Sequence, residues 1–119
     1  MQALAQAILN NVNVYIITSD LHAGSYSSHT DLQYIYNYLL QLTHDKTKLN
    51  TFLHLATVSY TNAQKDNIGS HNKFWMVDNK IFYVGSHNIY PSSLQQFGVI
   101  IDSKAAAAQI NKTLWNPLW

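Results

Sequence analysis

The chain has 119 residues, 47% of them apolar and 13% aromatic, with a formal net charge of +1. Disorder, which needs high net charge and few aromatics, is excluded, and there is no basic excess of the kind a general nucleic-acid binder shows. Charged residues make up 11% against roughly 25% in ordinary domains, and all of them are Asp or Lys, so Asn, Gln, Ser and Thr must supply most of the polar surface.

Residues 2–11 place Leu4, Ala7 and Ile8 at helical spacing, which predicts a short N-terminal helix. The same segment has no Lys or Arg and too short an apolar stretch for a signal peptide, so the compartment stays unassigned. No apolar run approaches the ~20 residues of a membrane span. VNVYIIT (12–18) is β-branched and aromatic and reads as a buried strand. Ser19 to Thr30 reads as a polar loop carrying His22, Gly24 and His29. Thr30 or Asp31 is the expected cap of a helix whose stripe of Leu32, Ile35, Tyr36, Leu39 and Leu40 runs to about Leu42.

HDKTKLN (44–50) reads as a linker, TFLHLATVSY (51–60) as a strand, and TNAQKDNIGS (61–70) as a polar loop. HNKFWMV (71–77) and IFYVGS (81–86) flank a hairpin turn at Asp78-Asn79-Lys80. FGVIID (97–102) reads as another buried strand, and Ser103 as the cap of a final helix, KAAAAQINKTLW. The expected fold class is α/β, a mixed β-sheet flanked by helices, in one domain over residues 1–119. With no Cys in the chain, disulfides, thiolate nucleophiles and Cys-based zinc sites are out. His22, His29, His44 and His54 show no zinc-ligand spacing, so no metal site is expected.

The chemistry concentrates in HNKFWMVDNKIFYVGSHN, residues 71–88. Alternation along a strand projects His71 and Lys73 together, with Trp75 and Val77 in phase behind them. The hairpin folds Gly85, Ser86 and Asn88 back beside His71. An imidazole, an ammonium, a hydroxyl and a carboxamide would then share a patch suited to a phosphate oxyanion. The imidazole could attack phosphorus or protonate a leaving oxygen. His87, at the position between Ser86 and Asn88, reads as a surface residue, and Phe74 and Trp75 as packing residues.

H-x-K-x4-D followed by G-S-x-N, here His71, Lys73, Asp78, Gly85, Ser86 and Asn88, resembles the HKD motif of the phospholipase D superfamily. The following IYPSSLQQFGVII (89–101) resembles the segment after the second HKD copy of bacterial secreted-type phospholipases D. The resemblance is specific in the motif region and looser over residues 1–60. It implies a C-terminal half-domain with one HKD copy, a phospholipid substrate, a phosphohistidine intermediate and no metal or other cofactor. It assigns His71, Lys73 and Asp78 to the catalytic motif, with His71 as general acid/base. It makes Lys73, Asn88 and Ser86 phosphate-binding residues, with Ser86 and Asp78 also in supporting positions.

Gly85 and Gln96 are expected around that site. Gln96 stands where the family usually carries a carboxylate that orients the catalytic imidazole; a Gln can orient the ring but cannot supply the charge. Since one copy is half a site, the resemblance implies either a second HKD half-domain or a homodimer that brings two His71 residues together. Two alternatives stay open: a single-motif homodimeric nuclease, which the low basic charge disfavours, and a catalytically silent remnant that serves only as an assembly partner. The family is often secreted.

Overall fold

A computed structural model describes residues 1–19, 28–61, 63–65, 67–88 and 93–118. His22, Gly24, residues 89–92 of the tail and Trp119 therefore lie outside the described residues. The chain divides into two compact units, Met1–Ser70 and His71–Trp119.

The first unit is built on a crossover. Helix α1 (Gln2–Leu9) leads into strand β1 (Val14–Ser19), then come helices α2 (Ser28–Thr43) and α3 (Lys46–Phe52) and strand β2 (Leu53–Thr61). β1 and β2 pair in parallel from Val14↔Leu53 to Ser19↔Val58, and parallel neighbours need such a helical connection because a tight turn cannot reverse the chain twice. A short strand β3 (Asn67–Gly69) pairs antiparallel with β2, so this sheet is mixed. Ala5 and Ile8 from α1, Ile35 and Leu39 from α2, and Leu49 from α3 close on Val14 and Leu53 to form one core.

Several expectations shift here. The strand expected over 12–18 begins at Val14. α2 starts at Ser28, so Thr30 and Asp31 sit in its first turn instead of at its cap. It ends after Thr43, whose hydroxyl donates to the Leu39 carbonyl at 2.9 Å, and His44 turns the chain out with φ 51°. The segment read as a linker is α3. Asp45 is its cap, accepting from the Lys48 amide at 2.9 Å, and Leu49 is fully buried. A seven-residue helix with so few apolar positions gives little periodicity to read. The loop expected over 61–70 contributes β3, because the edge of β2 offers it backbone partners. The tyrosines of α2 spread around the axis: Tyr36 is half-buried and donates to Asn50 Oδ1 at 2.7 Å, while Tyr34 and Tyr38 stack on the exposed side.

The second unit is an antiparallel sheet, β4 (Lys73–Val77), β5 (Ile81–Gly85) and β6 (Gly98–Asp102), followed by helix α4 (Lys104–Ile110), a π-type turn over Asn111–Trp115 and a 3-10 turn over Asn116–Leu118. The hairpin turn falls where the sequence puts it. Asp78 and Asn79 both take positive φ, 52° and 51°, and the Lys80 amide donates to the Val77 carbonyl at 3.1 Å. Asp and Asn are among the few residues that tolerate this conformation, which suits the twist of a hairpin. The Ser103 hydroxyl caps α4 by accepting from the Ala106 amide at 3.3 Å, and α4 packs on β5. Phe82 and Ala107 are the buried apolar side chains among the described residues of this unit. β6 is a strand as expected but not a buried one: Ile100 is 66% exposed and Phe97, just before it, 76%. It is an edge strand of a three-stranded sheet, and among the described residues α4 packs on the central strand β5 instead.

Candidate active site

Each predicted site residue belongs to the second unit, and the β4–β5 register decides which of them meet. Lys73 pairs with Gly85, Trp75 with Tyr83 and Val77 with Ile81. Side chains alternate across a sheet, so Lys73, Trp75 and Val77 share a face with Tyr83 and Gly85, and Phe74, Met76, Phe82 and Val84 take the other. His71 continues the chain two residues before Lys73, at the same end of the hairpin as Gly85 and Ser86.

Lys73 folds back toward His71: its ammonium donates to the His71 carbonyl at 3.1 Å. The lysine is half-buried, and that burial lowers its pKa from the ordinary lysine value, because removing water disfavours the charged form. His71, Lys73 and Gly85 line a cleft of about 230 Å³ together with Asn72, Phe74, Val84, Ile110 and Leu114. The cleft therefore has a polar, cationic rim on an apolar floor.

Ser86 is held elsewhere. Its hydroxyl donates to the Phe97 carbonyl at 3.2 Å and accepts from the Phe97 amide at 2.9 Å, and its own amide donates to the same carbonyl at 2.8 Å. A hydroxyl has one proton to give, so in this arrangement Ser86 ties the end of β5 to the start of β6 and has no donor left for an anion. Gln96, beside Phe97, shares a separate depression with Ser86 and Gln95. Among the described residues no hydrogen bond joins Gln96 to His71. Asn88 is half-buried and lines neither depression.

Asp78 is not brought to His71. It is exposed at the hairpin tip, five residues beyond Lys73, roughly 16 Å along an extended strand. What the structure gives it is the positive-φ turn position. The tip is itself anchored, by Asn79 Oδ1 accepting from Asn111 Nδ2 at 2.9 Å and by Lys80 paired with Asp102 at 3.2 Å.

Two residues read as bland on sequence have more to do. Trp75 is 45% exposed and stacks on Tyr83, ring centroids 5.7 Å apart. Tyr83 lies flat across the facing glycines: a Cβ on Gly85 or on its pair Gly98 would overlap the Tyr83 ring. The Tyr83 hydroxyl meets His87 Nδ1 and accepts from the His87 amide at 3.3 Å. The sequence signal was available in two glycines at paired positions beside an aromatic residue, but it needs the register to be read.

Of the remaining histidines, His54 stacks on Tyr15 at 4.3 Å and meets Asn13 Oδ1 at 3.0 Å. Among the described residues no helix is long and apolar enough to cross a membrane.

Comparison with known proteins bears on the whole of this chain. A family model described as cardiolipin synthase, PLD-like domain, matches residues 1–119. The phospholipase D of Streptomyces antibioticus is 35% identical over 134 aligned residues, covering 98% of this chain and 24% of that protein. The chain thus spans about a quarter of the length of the curated relative it matches. Taken with the α/β fold of helices and two small sheets, an end-to-end match of this kind means that the chain belongs to the phospholipase D superfamily.

Proposed function

We propose that residues 1–119 form a phospholipase D-like half-domain that cleaves phospholipid phosphodiesters when a second HKD motif completes its site. The observation that carries this reading is Lys73, half-buried at the rim of an apolar-floored cleft and folded onto His71. A phosphodiester carries negative charge that repels a nucleophile, so a cation beside the imidazole is the first requirement. Lys73 meets it. One imidazole then attacks phosphorus, forming an N–P bond as the P–O bond to the alcohol breaks; the other gives that alcohol its proton. Water, deprotonated by the second imidazole, next displaces the first and releases the phosphate product. His71 supplies one of these two imidazoles, in the acid/base role, and its partner comes from another HKD half-domain or from a second copy of the chain.

The geometry favours support over anion contact for Ser86, whose proton goes to Phe97. Gln96 leaves the site without the negative charge that would stabilise an imidazolium. Loss of such a charge at a serine-protease triad costs about 10⁴ in rate, so the reconstituted activity is expected to be low and Gln96→Asp to raise it. A second reading, an assembly partner without catalysis, draws on the same neutral Gln96.

The test is to measure the solution mass of the chain and to assay phosphatidylcholine and a chromogenic phosphodiester. Both assays are run on the chain alone and co-expressed with the N-terminal half of the Streptomyces antibioticus enzyme. Activity in either setting that His71→Ala abolishes supports the proposal. Hydrolysis that His71→Ala leaves intact, or none in either setting, sinks it.

A further inference from the structure

His87 occupies the one unspecified position of G-S-x-N, yet Tyr83 holds it. Tyr83 fixes it three ways: phenol oxygen to Nδ1, phenol oxygen to the backbone amide at 3.3 Å, and a ring-on-edge contact at 5.8 Å. Tyr83 is in turn held by Trp75 on one side and by the paired glycines 85 and 98 beneath it. With its oxygen accepting the His87 amide, the phenol is free to donate its proton to Nδ1. In that tautomer the ring carries its proton on Nε2, the nitrogen that does not meet Tyr83.

The sheet register says where that proton is presented. Gly85, over which the Tyr83 hydroxyl lies, is the direct partner of Lys73, and partners in an antiparallel pair have Cα atoms about 5 Å apart. Lys73 and Gly85 thus sit at the open end of the hairpin, the end at which Tyr83 holds His87. His87 is exposed, and Nδ1 is the nitrogen that meets Tyr83.

We propose that His87 is a phosphate-oxygen ligand that acts beside Lys73, with Tyr83 as the positioning residue that sets its tautomer and direction. This rests on the phosphodiesterase reading and deepens it. Geometry also says what His87 does not do. Attacking and leaving groups at phosphorus stand roughly in line, on opposite sides, whereas His87 and His71 extend from neighbouring strands of the same hairpin. His87 therefore contacts a non-bridging oxygen and does not replace the opposed imidazole of a second HKD motif.

The experiment is phosphate binding by the full chain, followed in two arms by the ring ¹⁵N–¹H signals of the histidines and by calorimetry. One arm uses inorganic phosphate, the other a short-chain phosphatidylcholine below its micelle concentration. His87→Ala is expected to weaken binding roughly ten- to hundredfold, the usual effect of losing a hydrogen bond to a charged group. His87→Gln, whose amide nitrogen reaches the Nε2 position, should recover most of it, and His87→Asn should not. Tyr83→Phe keeps the stack on Trp75 but should weaken binding and shift the His87 tautomer signal.

Dependence on His87 in the lipid arm assigns the contact to the diester, and in the inorganic arm alone to free phosphate; both support the anion site. If His87→Ala binds like the parent while Lys73→Met does not, the inference is overturned and the Lys73 site stands. If the parent binds neither probe, or Lys73→Met changes nothing, the inference fails, and the phosphodiesterase reading is judged by the co-expression assay alone.

Discussion

Lys73 is a partly buried charge that opposes stability. Its folded-state pKa is lowered by burial, so the folded chain holds that proton less tightly than the unfolded chain does. The resulting penalty is present in full below the lowered pKa and fades as pH rises from there toward the ordinary lysine value, so stability rises with pH through that window. Lys73→Met should therefore leave the melting temperature unchanged or slightly higher at neutral pH while weakening phosphate affinity at least tenfold, the scale of a charge-assisted contact. A melt and a phosphate titration on the same sample check both halves. Phosphate affinity of the parent should also fall with rising pH earlier than a free lysine would require, read by repeating the titration across alkaline pH. Gly85 makes a second residue-scale case. An added Cβ would overlap the Tyr83 ring and stand 2.6 Å from the Gly98 Cα, and neither a paired backbone nor a stacked ring gives way cheaply. Gly85→Ala should cost about 1–3 kcal/mol, measured by denaturant melts, and less in a Tyr83→Ala background.

Among the elements, α3 rests on a cap and a buried anchor. Asp45 satisfies an amide that the first helical turn would otherwise leave unpaired, and Leu49 is the buried anchor. Asp45→Ala should cost about 1 kcal/mol and Leu49→Ala about 2–5 kcal/mol, each read from chemical denaturation. The β4–β5 hairpin works differently. Its turn is local, set by Asp78 and Asn79 at positive φ, while its open end is held by long-range links from Ser86 to Phe97. The turn makes the register, and the register sets Lys73 against Gly85 and Trp75 against Tyr83.

On the scale of the molecule, the two units differ in how much they bury. The first closes seven apolar residues into one cluster; the second buries Phe82 and Ala107 among its described residues and leaves Trp75, Val77 and Ile100 well exposed. Burial of apolar surface is the main favourable contribution to folding, so the two units should not open together. Native-state hydrogen exchange is expected to show slower exchange for the amides of α2, β1 and β2 than for those of β4, β5 and β6. Uniform protection across both sets would contradict this.

The sequence by itself determined the features that depend on near neighbours. These are the apolar stripe of α2, the positive-φ turn at Asp78-Asn79, the Ser103 cap, and the spacing from His71 through Asn88 that pointed to the family. Periodicity, turn chemistry and capping act over a few residues, so they are written locally. Tertiary structure alone decided what depends on partners distant in the chain. α3 exists because Leu49 has a core to enter, and β3 because β2 has a free edge. β6 is exposed because, among the described residues, α4 packs on β5 instead. Ser86 faces the Phe97 backbone instead of an anion, Asp78 stands far from His71, and His87 is gripped by Tyr83. Each of these follows from strand register and packing, which fix where a donor or a ring ends up only once remote segments have met.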